Sequence, residues 1–425
     1  MKKVLILFLF LFTVPDSETL VFPPYGHSYG IRKAKPAHLF MLVGSKTFFD
    51  DPQGLATTRL EAWEDTTTKK DDDEVVVYGV NSGRHQIIYN TSMWTLGIYG
   101  EKGNGVDQFY NPKGVTADSK GNVFVADSGN NRVVHLFNSG KSLKWEKSFN
   151  GESSKDEGVK GPSRISLDYS GNVYVNDPVN CRIVVFSKNG DVLNRFPSNK
   201  EYSFVKGPTA LAVADGRSRW SHFNNEKVLF CADLNGTRLW KIDLNGNVIK
   251  KISLPKNYQV SYAAVDYFHN IWLTDTYNHC VLKLDHNLQL LDILGGYGTG
   301  DNQFVEPRGI TIYPRFGQVF IAERKGAQYY WIGTDLKSVD LSETQPGKYN
   351  LTVNATEFSF VSLFSVSGSD TLFFLKKRMI NPGACSVPVY ETDTKKIGQK
   401  QLYLKIEPTY SSYTYNAWFF PVSVK

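Results

Sequence analysis

The chain has 425 residues, enough for two or three domains and a large core. Aromatic residues make up 14%, with 23 Tyr and 27 Phe beside 35 Gly, a mixture that favours strands joined by tight turns and points to an all-β protein. The surplus of 48 Lys and Arg over 42 Asp and Glu is scattered, as where Lys69-Lys70 runs into Asp71-Asp72-Asp73-Glu74, and this argues against a nucleic-acid footprint.

At the N-terminus, MKKVLILFLFLFTVP sets two lysines before a short apolar run, the pattern of a secretory signal over residues 1–20. The expected location is secreted, periplasmic or cell-surface, with no membrane span beyond the signal. The segment HLFMLVGSKTFFDDPQG from His38 matches LLDILGGYGTGDNQFVEPRG in pattern, so His38–Val43 is expected to be an outer strand. From Gly54 onwards a unit of about fifty residues recurs six times. Its first strands are GLATT, GVTAD, RISLD, ALAVAD, AAVD and GITIY, and its second strands VVVYGV, VFVADS, VYVNDP, VLFCAD, IWLTDT and VFIAER. The third are HQIIYN, RVVHLF, RIVVFS, RLWKID, CVLKLD and AQYYWI. A fourth strand follows in five units and is missing from the sixth. An array that borrows this strand from its own N-terminus closes into a ring and leaves no open sheet edge.

The phrase FYNPKGVTADSKGNVFVADSGNNRVVHLF resembles the NHL repeat, and the resemblance covers residues 38–335. It implies a six-bladed β-propeller. The first and fourth units carry long insertions, and the sixth loses the Asp and Arg of the pattern. The last part of the chain, 340–425, holds KYNLTVNAT, FVSLFSVSG, TLFFLKKRM, SVPVYETD, QLYLKIEP and AWFFPVSV, short strands that fit a β-sandwich. PGKYNLTV and KQLYLKIEP are similar to Ig-like modules of the hook-cap kind, which implies a spacer or docking tail.

Asp127, Asp177, Asp233 and Asp275 end second strands, and Arg132, Arg182 and Arg238 open third strands a few residues later. A carboxylate and a guanidinium flanking a short turn can close it with a charge-assisted bond, so these residues read as structural. Function is expected where the units differ. In DTYNHCVLKL of the fifth unit, His279 stands in the arginine's place beside Asp275 and Asn278, a candidate ligand-binding group. The matching position of the peptidyl-hydroxyglycine amidating lyases, related propellers, is similar and holds a zinc-ligating histidine. No second histidine is expected at a matching turn, since His85 and His135 read as third-strand residues. Trp220, His222, Phe268 and His269 fall in loops of the opposite face and form an alternative contact rim. The four cysteines have no metal-type or disulfide spacing and read as small core residues. There is no G-x-S-x-G, H-E-x-x-H or phosphate loop, so no catalytic residue, cofactor or metal is assigned. The reading is a monomeric, exported, non-enzymatic binding or scaffold protein for a protein, peptide or glycan; the alternative is a metal-dependent propeller enzyme, a lyase or lactonase-type hydrolase.

Overall fold

The computed structural model describes residues 19–21, 33–64, 75–92, 95–154, 156–197, 202–255, 257–367, 370–391, 397, 401–410 and 418–424. Residues 1–18 of the expected signal and the Lys69–Glu74 charge run lie outside them. Among the described residues no helix is long and apolar enough to cross a membrane.

The chain is all-β. Among the described residues, 52–332 supply six main antiparallel sheets of three or four consecutive strands, as in Gly114–Ala117, Asn122–Asp127, Arg132–Asn138 and Leu143–Phe149, besides short two-stranded pairings. The first strands touch in chain order and the sixth returns to the first, giving the closed ring of a β-propeller. Second and third strands lie between neighbouring sheets, so they are buried on both faces: every residue of Val173–Asp177 and Cys280–Leu284 is buried. The outer strand Val248–Ser253 is almost wholly exposed.

A repeated Asp-x-x-Gly-Asn turn joins first to second strands. Asp118 Oδ1 accepts the N–H of Lys120 at 3.0 Å and of Asn122 at 2.9 Å, and Gly121 takes the left-handed φ of 95° that the turn requires. Asp168 repeats the arrangement with Ser170, Asn172 and Gly171. Where the ring narrows, backbones approach closely: a Cβ on Gly309 would lie 2.1 Å from the carbonyl oxygen of Gln53.

The N-terminus does close the ring, but not with the strand expected. Pro36–Val43 is a helix, with Pro36 in its first turn and only Leu39 buried. The sixth sheet is completed by Leu20–Val21, paired with Ile332 and Trp331, and by Lys33–Ala34, paired with Gln328 and Ala327. The ring therefore begins upstream of residue 38, and Thr19 and Leu20, inside the expected signal, are built into it.

The C-terminal residues form two further sheets. Leu336–Gln345, Lys348–Ala355 and Gly383–Tyr390 make one; Asp370–Ile380, Ser359–Ser367, Leu402–Pro408 and Trp418–Val422 make the other. Leu351, Val353, Val361, Leu363, Leu404 and Ile406 from both sheets share one core. The module starts at Leu336, a little before the expected 340, and it is not a loose tail. Phe358 and Tyr410 belong to the same apolar cluster as Trp272, Ile310 and Tyr330 of the ring. Phe358 stacks on Phe268 at 4.0 Å, and Tyr410 Oη accepts the N–H of Tyr267 at 2.9 Å. Beneath them, Lys283 Nζ reaches Glu357 at 2.5 Å, with both side chains fully buried.

Candidate functional site

One device recurs on the face where second strands turn into third strands. The residue ending each second strand, Asn81, Asp127, Asp177, Asp233, Asp275 or Glu323, accepts the N–H of the residue at the entry to the same sheet's first strand. These bonds span 2.7 to 3.0 Å. Five residues on, Arg132, Arg182 and Arg238 return through Nε to their own aspartates at 2.8, 2.7 and 2.7 Å. In the sixth unit Glu323 and Gln328 do the same at 2.7 Å. The carboxylates are thus consumed in holding turns and entries together, a structural role repeated around the ring.

His279 does not occupy the arginine's place. Asp275 pairs in register with Cys280, as Asp127 does with Arg132, so the arginine is replaced by a cysteine whose thiol burial pushes up to about 12. His279 is the left-handed residue just before it, with φ 56°. Its Nδ1 accepts the N–H of Glu306, at the entry to the next sheet, at 2.9 Å. His85 is its counterpart and lies in a turn, not a strand: φ is 59° and Nδ1 accepts the N–H of Asn111 at 2.9 Å. Asn131, with φ 52°, makes the same link to Gly161 through Oδ1 at 2.8 Å. Each side chain staples its turn to the following sheet.

This chemistry bears on a metal. A neutral imidazole whose Nδ1 accepts a hydrogen bond carries its proton on Nε2, leaving no lone pair for a cation. His279 therefore presents an N–H donor, Asp275 is fully buried behind it, and Asn278 Nδ2 donates to Asp275 at 2.8 Å. The residues do not fit a zinc site. Replacing His279 with alanine is expected to cost about 1–2 kcal/mol, from the lost staple and the left-handed backbone, while asparagine should restore most of it. Urea denaturation of both variants checks this; equal midpoints would contradict the staple.

Beside His279 opens a cavity of about 520 Å³ lined by Thr209, Asn235, Gln259, Val260, Ser261, Thr276, Tyr277, His279 and Glu306. Tyr277 is 78% exposed, and Tyr297, edge-on to His279 at 4.9 Å, is 73% exposed. Tyr110, Val179, Val205 and Leu234 stand exposed on the same turns and entries. Toward the axis, Arg164 crosses from the third sheet to the fifth, donating through Nε to the carbonyl of Ser261 at 2.5 Å with its guanidinium 3.5 Å from the Tyr262 ring centre. Tyr262 Oη reaches Gln53 of the first sheet at 2.5 Å. Burial opposes ionisation of Asp51 nearby, but Lys113 and Arg308 together hold its carboxyl below the ordinary value. The axial mouth is thus bridged by side chains, and the open cavity lies to one side of it.

On the opposite face the expected rim is largely covered. Phe268 and His269 are 4% and 2% exposed, and the C-terminal module sits over Phe268 through Phe358. His222 packs among Phe223, Phe268 and Phe358, and Trp220 is flanked by Arg219 and Arg315. His269 turns inward: Nε2 lies 2.6 Å from Ser221 Oγ and Nδ1 2.5 Å from Glu226 Oε2. Sequence reasoning missed Ser221 and Glu226, which lie in the fourth unit's insertion, where the repeat offers no register.

Among known proteins, the NHL repeat family matches residues 109–136, so the propeller carries an NHL repeat there. It is similar in structure to virginiamycin B lyase from Staphylococcus aureus, at 17% identity and a TM-score of 0.42, over 60% of this chain and 77% of that one. It is also similar to a gluconolactonase from Xanthomonas campestris, at 12% identity and a TM-score of 0.46, over 75% of this chain and 99% of that one. No curated protein matches the sequence.

Proposed function

We propose that this NHL-repeat propeller is an exported binding protein whose turn-bearing face takes up a protein, peptide or glycan. The observation that carries the reading is the open cavity of about 520 Å³ rimmed by Tyr277. Its lining is mostly hydroxyl and amide groups, with His279 offering an N–H, and exposed tyrosines flank it. That is the composition of a recognition surface: a few convergent polar groups fix orientation, and rigid aromatic rings supply contact area. On this face Asp127, Asp177, Asp233 and Asp275 are held by their own turns, and Glu306 is paired with Arg308 and Arg324. The rival reading, an axial-metal lyase or lactonase-type hydrolase, is less well supported because His279 has its Nδ1 engaged and Arg164 sets a positive charge at the axial mouth. Export rests on the lysine-led apolar N-terminus. The test is to screen the whole chain against peptide and glycan arrays and remeasure each bound species with Tyr277→Ala, a side chain whose exposure makes its loss harmless to the fold.

A further inference from the structure

We propose that Ser221, His269 and Glu226 form a serine-nucleophile site for small acyl esters, on the face opposite the cavity and independent of the binding reading. Ser221 Oγ lies 2.6 Å from His269 Nε2, and Glu226 Oε2 lies 2.5 Å from His269 Nδ1. Such a nucleophile, base and orienting carboxylate are recognised by geometry and not by sequence position. The carboxylate fixes the tautomer: Nδ1–H donates to Glu226, which leaves Nε2 to accept the proton of Ser221. Burial opposes the charge on Glu226, but hydrogen bonds from His269 and Lys241, with the His286 ring 3.7 Å away, outweigh it and hold the carboxyl well below its usual range. It is therefore ionised, as an orienting group must be.

Two further features separate this cluster from an ordinary loop tie. His269 occupies the position that is Gly121 and Gly171 in the matching turns of the second and third units, and it adopts φ 55° there. A non-glycine residue held left-handed where the repeat supplies glycine is strain, and such strain collects at functional positions. The turn is also rigid, because Asp266 accepts the N–H of Phe268 at 2.9 Å and of Asn270 at 3.0 Å. The second feature is the N–H of Ser221, which donates to no group among the described residues. A nucleophile's own N–H is one of the two donors that oxyanion holes commonly use. Ser221 is 6% exposed, which confines the proposed site to small acyl groups and small reagents.

In the first step, Ser221 Oγ bonds to the ester carbonyl carbon, the bond from that carbon to the alcohol oxygen breaks, and the serine proton passes through His269 Nε2 to the departing alcohol. Water then attacks the acyl-serine, gives its proton to His269, and releases the acid as that proton returns to Oγ. Ser221 and His269 are the catalytic residues; Glu226 is a positioning residue.

The experiment treats the full chain with a small fluorophosphonate and locates the adduct by peptide mass spectrometry. The expected result is one adduct per chain, on Ser221, absent in Ser221→Ala and His269→Ala. Glu226→Gln should slow adduct formation on the order of a hundredfold or more while the concentration for half-maximal rate stays unchanged. No adduct on the wild-type chain, at a dose that saturates a control serine hydrolase, overturns the proposal without any variant having to fold. An adduct that persists in Ser221→Ala overturns it equally. A cluster that merely ties the loop down gives no adduct and only a lower melting temperature for Ser221→Ala.

Discussion

Lys283→Met is expected to destabilise the protein by about 3–5 kcal/mol, because it strips the counter-charge from a carboxylate sealed between ring and C-terminal module. Glu357 is fully buried; among the described residues its hydrogen-bond partners besides Lys283 are Asn270 Nδ2 at 3.2 Å and the N–H of Phe358 at 2.7 Å. Lys283 is equally buried and lies 4.6 Å from the Trp272 ring centre. Burial pushes the Glu357 carboxyl up, and Lys283 pulls it back down. Without Lys283 the folded state binds a proton more tightly than the unfolded chain does. The variant should thus keep its stability below the unfolded carboxylate pKa and lose it progressively as the pH rises through the folded value. Lys283→Met/Glu357→Gln should recover much of the loss and flatten that dependence. Urea denaturation at pH 5 and pH 8 reads both effects; a small, pH-independent loss in Lys283→Met would contradict the joint described here.

Removing residues 1–21 is expected to cost about 5 kcal/mol or more beyond the effect of removing residues 1–18. The difference lies in three residues. Thr19 is fully buried: its Oγ1 meets Asp292 at 3.1 Å, Asp335 at 2.9 Å and Thr356 at 2.7 Å. Leu20 and Val21 fill the core edge and pair with Ile332 and Trp331. Losing them uncovers apolar surface, opens the edge of the sixth sheet and removes the hydrogen bonds that Thr19 makes to Asp292 and Asp335. A loss of that size is a large share of the stability of an ordinary domain. Any processing of a leader must then stop short of Thr19. Equal melting temperatures for the two truncations would show that the N-terminal residues do not close the ring.

The ring was legible in the sequence because its turns recur, as Asp-x-x-Gly-Asn in the second and third units and as Asp with Arg five residues on in the second, third and fourth. Errors arose where a residue was read by its type and not by its register. His279 looked like a substitute for arginine, yet the spacing from Asp275 assigns that place to Cys280. His85 reads as a strand residue from its β-branched neighbours, yet it stands in the same left-handed turn position. The run His38–Val43 is apolar without a period, and Pro36 with Ala37, Leu39 and Met41 suits a helix; the real closing strands are two residues long, too short to leave a pattern. The C-terminal joint was illegible because Glu357 and Phe358 meet Lys283 and Phe268 only across the fold. Ser221 and His269 are separated in the same way, with no repeat to align the insertion.

On the proposed function, recognition happens at the cavity beside His279 on the turn-bearing face. Its most direct test is the affinity of the first peptide or glycan selected by the arrays, measured by calorimetry for the wild-type chain and for Tyr277→Ala. The variant is expected to lose at least about tenfold in affinity at an unchanged melting temperature, since an exposed aromatic anchor contributes to binding and not to folding. Unchanged affinity in Tyr277→Ala, or arrays that select nothing for the wild-type chain, would contradict it.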